Sequence, residues 1–324
     1  MNDRVLVTGA SGFVGRQLAA ALMASGRPMR AAFRSPPQSL PGSVDLTNDS
    51  VVVGELDSAT DWTAALNGIA TVVHLAARVH VMQDTAHDPL TEFRRVNVQG
   101  TLALARQAVA AGVRRFIFIS SIKVNGESTC LGQAFLADDK PNPQDAYGVS
   151  KHEAEVQLLA LAKTTGLEVV IIRPVLVYGP GVGANFLSMM RWLKKGVPLP
   201  FGATGNKRSM VAVGNLVDLM VVCLDHPAAA NQIFLVSDGE DLSTTELLQR
   251  CSRALGRSAR LLPVPSAVLN LAAKLLGKGD IAQRLCGSLQ VDIRKNQTLL
   301  GWAPPISVDV GLVLTAEYFL SHIN

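Results

Sequence analysis

RVLVTGASGFVG, Arg4 to Gly15, is the stretch from which the rest of the chain can be read. Arg4 to Gly9 is a short aliphatic run of the kind that forms a buried strand, and Phe13 to Gly26 has a helical pattern closed by a glycine. Between them Gly9, Gly12 and Gly15 are spaced G-x-x-G-x-x-G. At a strand–turn–helix junction the first two glycines permit a tight turn and close approach of backbone to a pyrophosphate. The third lets the helix pack closely on the sheet. Ser11, Phe13 and Val14 belong to the same turn, where free amides and the positive end of the helix would face a dinucleotide.

Outward from that turn, strand-like runs alternate with helical patterns. Pro28–Arg34, Ser50–Leu56, Ala70–Ala77, Arg114–Ser121 and Leu167–Pro174 read as strands; Asp61–Gly68, Pro89–Gly112 and the span after Tyr147 read as helices. Buried strands joined by crossover helices imply a parallel sheet covered on both faces. The expected fold is therefore α/β: a Rossmann-like doubly wound parallel sheet with a smaller α/β substrate-binding lobe at the carboxyl-terminal end. The expected division is an NAD(P)-binding domain over 1–174 and a lobe over 175–324, with segments near 208–236 returning to the large domain.

At 324 residues, 48% apolar and 17% charged, the chain is long enough for both units. A formal charge of +4 without a dense basic block gives no support for nucleic-acid binding. Cys130, Cys223, Cys251 and Cys286 are far apart, so neither a disulfide framework nor a metal site is expected. Met1 to Arg4 leaves no room for a signal peptide and no uncharged run is long enough to span a bilayer, so a cytoplasmic protein is expected. The apolar stretch Leu261 to Ala273, between Arg260 and Lys274, is read as a loop and helix (266–276) buried in the small lobe; the alternative is a peripheral membrane contact.

Arg34 stands near the place where a NAD-preferring site offers a carboxylate to the ribose. It could pair with a 2′-phosphate, assisted by Arg30, which favours NADP over NAD; the alternative is a surface residue. Glu55 and Leu56 would face the adenine edge. Leu75, Ala76 and Ala77 would meet the middle of the cofactor, with His74 a buried structural histidine.

At the other end, Ser120 and Ser121 close a strand and face the same crevice as the glycine turn. Tyr147 and Lys151 lie one helical turn apart. A phenol with a pKa of about 10 is a poor base, and a nearby ammonium lowers it. A Ser121–Tyr147–Lys151 set can thus hold a carbinol oxygen and move its proton, while nicotinamide exchanges hydride with the carbon. Lys151 would also reach the cofactor ribose.

Together these residues resemble the extended short-chain dehydrogenase/reductase family, in its nucleotide-sugar epimerase and dehydratase branch. The likeness extends through FISSIKVNG (where Asn125 replaces a usual tyrosine), NVQGT with Asn97, YGVSK, IRPVLVYGPG with Pro174, KRSMVAVGNLVD and LGWAPP. The resemblance implies cofactor contacts at Asn97 and Pro174, and a homodimer through a four-helix bundle of helices 89–112 and 147–164. It also implies a UDP-sugar or dTDP-sugar substrate approached by Asn185, with Arg208 neutralising the diphosphate. Sugar dehydratases follow the active serine or threonine with Asp-Glu; Ile122-Lys123 stand here, which argues against dehydration. Two readings remain. The preferred one, on likeness to bacterial surface-polysaccharide enzymes, is NAD(P)H-dependent reduction of a UDP-linked 4-keto-6-deoxy-N-acetylhexosamine. The alternative is a UDP-glucose/UDP-N-acetylglucosamine 4-epimerase with tightly bound NAD. Val81, Met82 and Val124 would wall a C6 methyl, and Lys123 would meet a phosphate or substrate oxygen.

Overall fold

The computed structural model describes residues 3–36, 46–79, 88–275, 277 and 279–322. The strands among them are β1 (Val5–Thr8), β2 (Met29–Phe33), β3 (Ser50–Val52), β4 (Thr71–His74), β5 (Arg115–Ile119), β6 (Glu168–Pro174), β7 (Leu176–Tyr178), β8 (Arg208–Ala212), β9 (Gln232–Val236) and β10 (Asp241–Leu242). The helices are α1 (Phe13–Ala24), α2 (Thr63–Leu66), α3 (Pro89–Phe93), α4 (Thr101–Ala110), α5 (Ala146–Thr165), α6 (Ala184–Lys195), α7 (Val213–Asp225), α8 (Thr244–Ala254), α9 (Ser266–Leu275), α10 (Gly279–Cys286), α11 (Arg294–Leu300) and α12 (Val308–His322).

Seven strands form a parallel sheet in the order β3-β2-β1-β4-β5-β6-β9. Side chains alternate along each strand, and both faces are covered. Val5 and Val7 enter the core beneath α1 and α7, while Leu6 enters the core beneath α4 and α5; Ile117 and Ile119 part from Phe116 and Phe118 in the same way. The chain winds outward from β1 to β3 and then returns to β4 on the other side of β1. That reversal opens a crevice at the carboxyl ends of β1 and β4. This is the Rossmann-like fold.

A second sheet, β10-β8-β7, packs with α6, α8 and α12 around Tyr178, Phe186, Met210 and Leu312. β8 lies in this small sheet, whereas α7 and β9 belong to the large sheet and its core.

Two sequence expectations are corrected. The span 89–112 is not one α-helix: a π-helical turn, Arg94–Gly100, separates α3 from α4. A π turn is sustained when side chains hold it, often at functional sites. Here Asn97 takes up that role, and Gly100 lies so close to Leu56 and Asp57 that an added Cβ would sit 3.2 Å from their backbone. Nor is the apolar segment after Arg260 buried. No residue of α9 is buried, because the chain leaves the small sheet there and packs α9 mainly on α10.

Arg173 of β6 and Glu155 of α5 form a bidentate pair, Nε–Oε1 2.9 Å and Nη2–Oε2 2.6 Å, with both side chains 2% exposed. Arg173→Met would leave Glu155 buried without its partner, at a cost of roughly 3–5 kcal/mol. Adding Glu155→Leu should recover most of that loss. Urea unfolding of both variants checks this; equal stability of the single and double variants would contradict it.

Candidate active site

The glycine turn is built as a close-packed cradle. Gly9 has φ +68°, and a Cβ there would lie 2.8 Å from the Ala76 amide; a Cβ on Gly15 would lie 2.1 Å from the Gly9 carbonyl. The turn therefore tolerates no side chain at either position. Gly12 is the N-cap of α1 and supplies no side chain to the first amides of that helix. Uncapped amides at a helix start suit an anion. Thr8 ties β1 to β4: its Oγ1 accepts from the Leu75 and Ala76 amides at 3.2 Å and lies 2.7 Å from His74 Nδ1. His74 also meets Thr101 at 3.0 Å, and burial, with Lys151 nearby, pushes its pKa down to about 3. It is a neutral, satisfied core histidine.

At the end of β5 the Ser120 Oγ is buried with no hydrogen-bond partner. Leaving a buried hydroxyl unpaired costs about 1–3 kcal/mol. This orphan and the side-chain-free cradle are the two observations by which the crevice suits a dinucleotide. Ser121 follows; its Oγ accepts from the Lys123 amide at 3.2 Å, an acceptor role that leaves its own proton to be donated.

α5 delivers the other two groups. Asp145 caps it, its Oδ1 accepting from the Gly148 amide at 2.7 Å. Tyr147 sits in the first turn, its ring edge-on to Phe93 at 6.0 Å, and Arg78 lies over the same Phe93 at 5.6 Å. Lys151 is 2% exposed; its Nζ donates to the Ile119 carbonyl at 2.8 Å and sits 4.4 Å from the Phe118 ring. Ser121, Tyr147 and Lys151 thus gather where β5 ends and α5 begins. The pKa relation differs from the expected one. Burial, then the charge of Asp145, pushes the Tyr147 phenol up to about 12, and burial pushes Lys151 down to about 7 against the pull of Glu155. The lysine is turned under the strand end onto a carbonyl. In the free chain the phenol holds its proton, and acting as a base requires added positive charge in the crevice.

Other expectations change once side chains are in place. Lys123 is not directed at a ligand: Nζ bridges Asp145 at 2.5 Å and Glu127 at 2.8 Å. Burial works against its charge, but these carboxylates hold the ammonium above its ordinary value. Val124 is fully buried and presents no wall to a substrate. Arg30 is committed to Asp49 at 2.7 Å and to carbonyls at the end of α2, because it sits near the amino end of β2, away from the crevice. Arg34 is exposed and faces Glu55 at 3.7 Å, so each offsets the other's charge. Asn97 spends both amide donors on protein, the Arg78 carbonyl and Ser150 Oγ at 3.0 Å each, and accepts from the Arg78 amide at 2.8 Å. Its side chain thereby ties the π-helical turn to Arg78 and to Ser150 of α5.

Leu56, Leu75, Ala76 and Ala77, beyond the carboxyl ends of β3 and β4, and Pro174, at the end of β6, are partly exposed; Asn185 is exposed at the start of α6, and Arg208 donates to the Gly287 carbonyl at 3.1 Å. Val81 and Met82 lie outside the described residues. The sequence reading missed Phe93, Asp145 and Glu155. Only Asp145, a capping residue just before a helical run, carried a local signal.

This arrangement defines a dinucleotide-dependent enzyme of the short-chain dehydrogenase type. The chain matches the NAD dependent epimerase/dehydratase family over residues 5–237 and belongs to it. It is 50% identical over 326 residues to a UDP-glucose 4-epimerase of Vibrio cholerae, a match covering 100% of this chain and 98% of the relative. It is 28% identical to the N-acetyl-alpha-D-glucosaminyl-diphospho-ditrans,octacis-undecaprenol 4-epimerase of Escherichia coli O157:H7, over 99% of this chain and 97% of the relative. The solved structure of MoeE5 in complex with UDP-glucose and NAD superimposes with a TM-score of 0.77 at 27% identity, over 99% of this chain and 100% of that one. The full-length match to the Vibrio epimerase overturns the 4-ketone reductase reading. A reductase and an epimerase share one Ser–Tyr–Lys set, so motif likeness could not separate them.

A stability test follows from Lys151. Its folded pKa lies below the ordinary 10.5, so between pH 7 and 10.5 the unfolded chain holds a proton that the folded chain lacks. Stability from this group therefore rises with pH across that window, by at most about 1.4 kcal/mol per unit. Lys151→Met should flatten the rise, checked by denaturant unfolding of parent and variant at pH 7 and pH 9.

Proposed function

We propose that this chain is a UDP-hexose 4-epimerase working with NAD. One observation carries the reading: the 50% identity to the Vibrio UDP-glucose 4-epimerase over the whole chain. That the Escherichia relative is also a 4-epimerase, on a different carrier, adds support for C4 as the reacting carbon. A bound NAD would supply the hydride acceptor and donor, and epimerisation requires that the hydride leave one face of C4 and return to the other. The amides of the Gly9–Gly15 turn would hold its diphosphate, Ser120 Oγ would gain its missing partner, and Lys151 would hold the ribose. Glu55 beside Arg34 supports NAD over NADP, because the carboxylate offsets the arginine charge that would otherwise draw a 2′-phosphate.

Tyr147 Oη would first lose its own proton to solvent when positive charge enters the crevice; as phenolate it would take the proton of the C4 hydroxyl as the carbon is oxidised and return it when the carbon is reduced. Ser121 Oγ donates to the same oxygen and keeps it within reach. Both half-reactions use one phenol, so no net proton or electron leaves the site. Ile122-Lys123 after Ser121 supplies no carboxyl pair for eliminating a hydroxyl, which is consistent with epimerisation over dehydration. Arg208 and Asn185 are proposed to face the sugar-nucleotide phosphates.

The test is incubation of the protein with UDP-glucose and UDP-N-acetylglucosamine, following the galacto products by NMR. Interconversion without net change in nicotinamide absorbance is expected; failure to convert either sugar overturns the reading. Tyr147→Phe should lower kcat by about 100- to 10,000-fold, with NAD affinity little changed in a fluorescence titration. NAD should bind more tightly than NADP, and Glu55→Gln should narrow that gap.

A further inference from the structure

We propose that the hairpin of α9 and α10 is a docking element that lies on an anionic lipid surface. Among the described residues nothing covers its apolar face: Val268 is 54% exposed, Leu271 61% and Leu275 80%, with Leu262, just before the hairpin, 52% exposed. Val268, Leu271 and Leu275 are three and four residues apart, so they form one stripe along α9. Leu269 and Ala273, on the opposite side, are the partly buried ones. A helix whose inner face is only half-buried while its outer face carries leucine is built for a second apolar medium.

The charges say which medium. From Arg257 to Leu275 the sequence contains no Asp or Glu, while Arg257, Arg260 and Lys274 are all exposed. Lys274 borders the leucine stripe, where a long side chain can lay its methylenes along apolar surface and lift its charge to a phosphate. An apolar stripe with a cationic border matches the acyl–headgroup boundary of an anionic bilayer. A second copy of this face would bring the same cations against each other, which disfavours self-association there. At ten residues α9 is about 15 Å long, too short to span, and among the described residues no helix is long and apolar enough to cross a membrane. The hairpin lies on the surface.

Its attachment gives the contact a direction. The chain leaves the body where Leu261 pairs with Leu199 and Pro265 with Ala203, and returns where Asn206 Nδ2 donates to the Gly287 carbonyl at 2.9 Å. That same carbonyl accepts from Arg208. The docking face is thus held by the backbone next to β8, the strand that starts with Arg208. The proposal stands on the exposed stripe and its charges, whatever the substrate.

The full-length protein is floated with vesicles of phosphatidylcholine alone and of phosphatidylcholine containing phosphatidylglycerol. Co-flotation with the anionic vesicles only, weakened by added salt, is expected. Leu271→Glu with Leu275→Glu should cut the bound fraction roughly tenfold or more, and Arg260→Glu with Lys274→Glu should do likewise. These residues lie outside the proposed catalytic set, so turnover of a soluble nucleotide sugar should be unchanged, which also reports that the variants fold. Absence of flotation by the parent overturns the proposal. So does flotation of the leucine variant equal to the parent's. A leucine variant whose mass by light scattering drops to a smaller oligomer also overturns it, by assigning the face to a second copy of the chain.

Discussion

The bidentate pair between Arg173 and Glu155 is the constraint on which the site depends. A guanidinium and a carboxylate, each almost fully withdrawn from water, are compensated only if their geometry is good and their remaining hydrogen bonds are met. Arg173 meets that demand by donating also to Asn125 Oδ1 at 2.9 Å, and Asn125 in turn donates to the Leu136 carbonyl at 2.9 Å. Three pieces of chain are thereby held together: β6, the middle of α5, and the loop that follows Ser121. Tyr147 and Lys151 ride on α5, and Ser121 stands at the head of that loop. The asparagine that departs from the family's usual tyrosine is therefore explained by the pair it serves.

A second clip fixes the amino-terminal end of the same helix. Lys123 binds Asp145 while Asp145 caps α5, and Gly148 lies so near the Lys123 carbonyl that a Cβ would come within 2.9 Å. The loop and the helix start are then one rigid unit. Burial, then the charge of Asp145, raises the phenol's pKa, while the lysine expected to face substrate is paired with that same Asp145. Burial dominates the ionisation of both groups: it pushes the Tyr147 phenol up to about 12 and the Lys151 amine down to about 7. The charge of both groups therefore depends on what fills the crevice.

Reductases and epimerases of this family differ in whether the cofactor leaves and whether the sugar turns between two hydride transfers. Neither property resides in a short motif. A match over the full chain compares every loop, while the Ser–Tyr–Lys pattern compares only residues common to both.

By itself the sequence determined what depends on neighbours a few residues apart. The glycine turn was legible because Gly9 and Gly15 are needed for local backbone geometry, and the Tyr147–Lys151 spacing because a helix turn is local too. The parallel strands were legible because both their faces are apolar, which follows from period-two alternation in a covered sheet. Only the tertiary structure decided the partners of charges: Lys123 with Asp145, 22 residues away, Arg173 with Glu155, 18 away, and Arg30 with Asp49 at the far end of its strand. It alone also decided that the Asn97 turn widens into a π-helix and that the leucines of α9 face outward. The reason is physical: the cost of burying a charge or exposing a leucine is set by what the fold brings within a few ångströms, and chain separation does not encode that distance.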